Sequence, residues 1–208
     1  MSLETVIALL VFLFPLAYSP GPGNAFFAAL AAAAGMRAAV PALVGYHAAT
    51  LGVTALIGMG VGTTIVHRPA ASNLLFAMGS AYVLWLAVTF VRHPLTVTSG
   101  NNGPLPRERR AGFWTGAVVL LLNPKAYSII AAMFAQFLAT PGSADRSAVI
   151  AIAVIFTLNN LVAFLVWASG GRALSTVLGA SRYQRVLSYV FAAALVGVAA
   201  WMSLPLFT

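Results

Sequence analysis

Of the 11 Lys and Arg residues in this 208-residue chain, one is a lysine, Lys125, and it alone stands deep inside an apolar stretch. It follows Asn123 and Pro124, a pair suited to starting a helix, with Asn as the cap and Pro in the first helical position. A second interruption, Ser19-Pro20-Gly21-Pro22-Gly23-Asn24, divides another apolar run. Pro20 and Pro22 lack N–H donors and disfavour helix at the preceding residues, and Gly21 and Gly23 permit unwound backbone. Asn24 then reads as the cap of a second half-helix over 25–35. Two half-helix N-termini meeting near one ammonium would offer free N–H groups and about half a positive charge each. That is the chemistry of an anion site of carboxylate size. His47 and the pair Asn159-Asn160 supply the remaining polarity in apolar surroundings. Of these, only His47 has an ordinary pKa, about 6.5, that lets it exchange a proton near neutral pH.

What is missing narrows the chemistry further. There is no cysteine, which excludes disulfides, thiolate metal sites and cysteine catalysis. The acidic residues are Glu4, Glu108 and Asp145, all at ends or between apolar runs. No carboxylate is therefore available at depth for a hard cation, and neither a metal nor a cofactor is expected.

The elements that must carry these residues follow from composition. Apolar residues make up 61% of the chain and charged residues 7%, against about 25% charged in soluble domains. Such a surface cannot be kept in water, so soluble enzymes, nucleic-acid-binding domains and disordered chains are excluded. Uncharged runs of 23 to 32 residues recur, and about 20 apolar residues cross a bilayer as a helix. The reading is an all-α polytopic membrane protein forming one transmembrane domain over 1–208. Its six segments run over about 3–35, 38–66, 69–91, 111–140, 147–170 and 186–208. Barrel strands, about 10 residues long and alternating, do not fit these lengths. The first segment loosely resembles a signal peptide, but Glu4, the absence of a basic flank, Pro20 and the resumed apolar run from Ala25 predict that it is retained.

Lys and Arg divide unequally between the two sides. Arg37, Arg92, Arg107, Arg109, Arg110, Arg172, Arg182 and Arg185 share one side, and Arg68 and Arg146 the other. By the positive-inside rule the first set, with the polar loop 92–110, is cytoplasmic, and both termini face outward. Halves of three segments each, about 1–91 and 111–208, would insert with opposite topology. Inverted repeats of this kind place substrate sites at mid-membrane on interrupted helices. At about 1.5 Å per residue, the Pro-Gly break, His47, Lys125 and Asn159-Asn160 all fall near mid-membrane. They lie on the counterpart segments one and four, and two and five. The expected substrate-binding residues are Pro20, Gly21, Pro22, Gly23, Asn24, Asn123, Pro124, Lys125, Asn159 and Asn160, with His47 as the proton-coupling candidate.

The motifs Ser19-Pro20-Gly21-Pro22-Gly23-Asn24, Gly45-Tyr46-His47, Gly79-Ser80-Ala81-Tyr82 with Trp85, Leu122-Asn123-Pro124-Lys125 and Asn159-Asn160, in this order, resemble the LysE/RhtB family of amino-acid exporters. The resemblance covers nearly the whole chain. It implies a non-enzymatic, secondary active exporter of a small amino acid or a related zwitterionic or carboxylate metabolite. It further implies coupling to protons, a multi-pass location in the bacterial inner membrane, and lipid and small-molecule partners, with a homo-oligomer allowed. The chain departs from the commoner Pro-Gly-Pro-Asn by inserting Gly23, and it lacks an acidic residue in the second helix, where His47 stands. Three other readings are weaker. A metal-ion exporter lacks ligands, an intramembrane hydrolase lacks a Gly-x-Ser-Gly context around Ser80 and would not need Lys125, and the third is a membrane scaffold without transport.

Overall fold

A computed structural model describes residues 1–60, 69–92, 111–138, 146–177 and 181–204. The loop 93–110 and the residues Arg68, Arg107, Glu108, Arg109, Arg110 and Asp145, on which the charge asymmetry partly rests, lie outside the described residues, as do the side chains of Arg182 and Arg185. The described residues form eight helices and no strands: α1 (Leu3–Tyr18), α2 (Pro22–Ala34), α3 (Met36–Gly58), α4 (Pro69–Arg92), α5 (Phe113–Leu121), α6 (Pro124–Phe137), α7 (Arg146–Val177) and α8 (Ser181–Ser203). The chain is thus an all-α membrane fold.

Two helices, α3 and α7, are long and apolar enough to cross a bilayer unbroken. The first and fourth segments are broken where the sequence places the interruptions. α1 and α2 meet at 63°, and α5 and α6 at 64°. Each pair is apolar enough to count as one broken span. The third and sixth segments are the helices α4 and α8. Apolar side chains such as Val11, Phe14, Val44, Leu56, Leu158 and Val166 face outward. This belt suits lipid, because a soluble monomer rarely exposes so continuous an apolar surface.

Local sequence explains the helix ends. Ser2 caps α1, its hydroxyl accepting from the Thr5 amide at 3.2 Å. Ser19 is extended, at φ −67° and ψ 150°, as a residue before proline prefers. α2 and α3 are joined by Gly35 alone, whose φ of +83° is open chiefly to glycine.

Small residues hold the interior together. Every residue of α2 from Pro22 to Ala32 is buried, because α3, α7 and α8 surround it. Gly171 of α7 lies directly against the carbonyl of Ala28. Gly45 of α3 meets the carbonyl of Phe113, and Gly116 of α5 meets the carbonyl of Ala42, a reciprocal backbone contact between two helices. Such approaches need residues without side chains.

Among the described residues, several helix contacts come in pairs when the first four helices are exchanged for the last four. Exchanging α1–α4 for α5–α8 turns the α2–α7 contact into α6–α3, α3–α5 into α7–α1, α2–α8 into α6–α4, and α1–α6 into α5–α2, all of which occur. Two apolar clusters result. One is built on α2, α3 and the later part of α7, and the other on α1, α6 and the early part of α7. Both helix breaks are flanked by residues of the first cluster, Ala17 and Ala25 at one and Leu120 and Ala126 at the other.

Candidate functional site at the helix breaks

α2 begins earlier than the sequence suggested. Its cap is Gly21, extended at φ −168°, and Pro22 is the first helical residue. Asn24 is therefore inside the first turn and does not cap. Its Nδ2 instead donates to the Ala17 carbonyl at 2.9 Å, which ties α2 back to α1 across the break. In the other half, Asn123 does occupy the cap position and Pro124 the first turn, but the Asn123 side chain makes no capping bond. Aligning the two prolines makes Gly21 the counterpart of Asn123, and Gly23 that of Lys125.

Lys125 crosses between the breaks. Its Nζ donates to the Ser19 carbonyl at 2.8 Å, to Ser19 Oγ at 3.0 Å and to the Pro20 carbonyl at 3.2 Å. All three ammonium protons are thereby used. Its chain lies over Gly21, where a Cβ would fall 2.8 Å from Cδ and 3.0 Å from Nζ. The two helix N-termini thus come together at Lys125. Sequence alone, however, placed the ammonium only beside positive helix ends. The structure adds the carbonyls of Ser19 and Pro20, just past the C-terminus of α1, whose partial negative charge favours it.

The end of α1 is otherwise fully accounted for. Pro15 O accepts from the Ser19 amide, Leu16 O from Ser19 Oγ, Ala17 O from Asn24, and Tyr18 O from the Trp167 indole at 3.0 Å. Side chains from α2, α6 and α7 therefore hold one broken helix end.

Beside this junction is a cavity of about 10 Å³. Its polar wall is Asn24, Tyr46, Asn123, Lys125 and Asn160, and its apolar wall includes Phe156 and Phe164. The volume holds about one water, so an amino acid enters only if the surrounding helices part. The Tyr46 hydroxyl accepts from Asn123 Nδ2 at 3.0 Å, with the Asn160 side chain beside it. Gly23 packs under this group: a Cβ there would lie 2.6 Å from Phe164 Cζ and 3.2 Å from Tyr46 Oη.

The expected residues divide accordingly. Asn24, Asn123, Lys125 and Asn160 line the cavity, and Gly21 and Gly23 leave room for its walls. Pro22 and Pro124 set helix starts. Pro20 is exposed and contributes only its carbonyl. Asn159 does not line the cavity, and its Nδ2 is buried without a partner. Neighbouring helix positions point about 100° apart, which separates it from Asn160. His47 stands one layer back. Its Nδ1 is 2.8 Å from the Leu43 carbonyl, its Nε2 is buried without a partner, and its ring packs edge-on to Phe164 at 5.4 Å. Sequence reasoning missed Ser19, Tyr46, Phe164 and Trp167 as contributors. One signal was present for Trp167: an indole seven residues after Asn160, hence on the same helix face, needs an acceptor.

The sequence model of the LysE type translocator family matches residues 14–204. The chain belongs to that family. Among relatives, this LysE-type translocator is similar to a protein of Salmonella typhimurium named cysteine/O-acetylserine efflux protein. The two are 28% identical over 181 residues, 86% of this chain and 88% of the relative. A protein of the same name from Escherichia coli O1:K1 is 25% identical over the same shares. An uncharacterized membrane protein of Vibrio cholerae is 28% identical over 123 residues, 58% of each chain. No solved structure matches the chain.

Proposed function

We propose that this translocator exports a small, neutral amino acid or a related zwitterionic carboxylate across the bacterial inner membrane, driven by the proton gradient, with both termini on the outer side. The observation that carries the reading is Lys125, an ammonium held between two helix breaks beside a polar cavity. A carboxylate would replace one of its carbonyl partners and also meet the unpaired first-turn N–H groups of α2. Neutral substrates are favoured because none of the chain's three acidic residues lies deep within an apolar segment to meet a basic side chain. The efflux relatives, named for cysteine and O-acetylserine, support small substrates of this type.

His47 is the proposed proton carrier. A carbonyl only accepts, so the contact with Leu43 puts a proton on Nδ1 and leaves Nε2 as the atom that gains or loses one. The ring touches Tyr46 and Phe164, both of which line the cavity, so its charge would be felt at the site.

The test is counterflow in proteoliposomes with labelled O-acetyl-L-serine, L-cysteine, L-alanine and L-lysine. Saturable exchange of the neutral amino acids and not of lysine is expected. Failure of all four to exchange rejects the reading.

A further inference from the structure

We propose that Asn123 binds the substrate's amino group through Oδ1, and that Tyr46 acts as the positioning residue that holds Asn123 in the orientation this requires. The inference rests on the amino-acid reading above and assigns the second charged end of that substrate.

Asn123 occupies a helix cap position, where an Asn side chain ordinarily accepts from an amide one turn ahead. Here it makes no such bond. It is 4% exposed, its Nδ2 is committed to Tyr46, and its Oδ1 is buried without a partner beside the cavity. A buried amide oxygen left unpaired is costly and uncommon, so one that borders a polar cavity between two helix breaks points to a donor brought by the substrate. Among the other polar groups there, Asn24 commits its Nδ2 to Ala17, and Lys125 and the first turn of α2 offer only N–H groups. A simple anion would satisfy those and leave Asn123 Oδ1 unpaired. An α-amino acid carries an ammonium beside its carboxylate and satisfies both ends.

Tyr46 decides which amide atom is free. Its ring is 2% exposed and is fixed between Phe27, at 5.7 Å, and Phe164, at 4.6 Å. The hydroxyl oxygen is the acceptor for Asn123 Nδ2 at 3.0 Å, which turns Nδ2 toward Tyr46 and Oδ1 away. Without the hydroxyl the amide is free to rotate and to present N–H groups, which an ammonium repels.

The test compares O-acetyl-L-serine with its des-amino analogue 3-acetoxypropionate, and L-alanine with propionate, as competitors of amino-acid counterflow. Wild type should favour each amino acid by tenfold or more. Asn123→Leu should bring the ratio to within about twofold of one, and Tyr46→Phe should lower it at least threefold. The double variant should be no worse than Asn123→Leu, because Tyr46 acts through Asn123. Asn123→Asp, which keeps the acceptor, should retain or raise the ratio and decides the matter if the Leu variant does not fold. A wild-type ratio in Asn123→Leu or Tyr46→Phe, a ratio lost in Asn123→Asp, or no preference in a wild type that exchanges amino acids overturns the assignment while leaving amino-acid export standing. A wild type that exchanges no amino acid overturns the functional reading itself.

Discussion

The ammonium of Lys125 lies 2.8 Å from the carbonyl of Ser19, a residue 106 positions earlier. The one charge inside the fourth apolar segment is thereby bound to the broken end of the first. A charge at this depth costs a few kcal/mol on insertion scales, and the carbonyls of Ser19 and Pro20, just past the end of α1, offset part of that cost by accepting from it. In the proposed function Lys125 is a substrate ligand, and the same contact is a structural tie between the two broken helices.

Lys125→Met therefore has two expected effects. It removes the carboxylate partner, so counterflow should fall by tenfold or more. It also leaves the Ser19 and Pro20 carbonyls without their donor, and since these are only half-buried or exposed the loss of stability should be about 1 kcal/mol. Lys125→Arg should not restore transport, because the chain lies within 3.0 Å of the Gly21 Cβ position and a planar guanidinium is wider than an ammonium. Thermal unfolding in detergent together with counterflow measures both. Wild-type transport by folded Lys125→Met would remove Lys125 from the site.

Gly23→Ala should destabilise by about 1–3 kcal/mol, the usual cost of overpacking, since the new methyl would lie 2.6 Å from Phe164 Cζ. Phe164→Leu should recover most of that loss in the double variant. Additive losses in thermal unfolding would mean that Gly23 is needed for some other reason.

Gly116→Ala should be worse than Gly23→Ala, because its Cβ meets the Ala42 carbonyl and the backbone of α3 cannot swing aside as a ring can. The α3–α5 pair must separate, and little folded protein should be recovered from the membrane. Gly52→Ala is the control within α3. Nothing lies within 4 Å of its Cβ position, and replacing a helical glycine should stabilise by about 0.5–1 kcal/mol.

His47→Gln should keep exchange down a substrate gradient and abolish uphill movement driven by a proton gradient, because glutamine can hydrogen-bond but cannot carry the proton. Inverted vesicles with an imposed pH gradient provide the measurement. Gradient-driven uptake equal to wild type would exclude His47 from coupling.

Alkaline phosphatase fused at Asp145 should be active, and fused at Arg107 inactive. The grounds are the eight Lys and Arg residues expected on one side against two on the other. Activity at Arg107 would reverse the orientation and, with it, the side on which both termini lie.

Much of this molecule was legible without coordinates, because the determining physics is local. Length of apolar runs dictates spans, and proline and glycine dictate where helices break. Pro124 begins α6 as its type requires, and the bends of 63° and 64° fall at the two interruptions. Lys125 stood out because a charge is rare in apolar sequence. Side-chain direction was not legible. Asn24 was expected to cap and instead binds Ala17, because the helix starts at Pro22, three residues earlier than expected, and carries Asn24 into its first turn. Asn159 and Asn160 look alike in sequence, yet only Asn160 faces the cavity. Tyr46 and Trp167 gain their roles from Asn123 and Tyr18, 77 and 149 positions away. Such pairs are set by how helices pack, through contacts such as Gly45 on Phe113 and Gly116 on Ala42. That packing sums many weak contacts between distant segments, and no single stretch of sequence contains it.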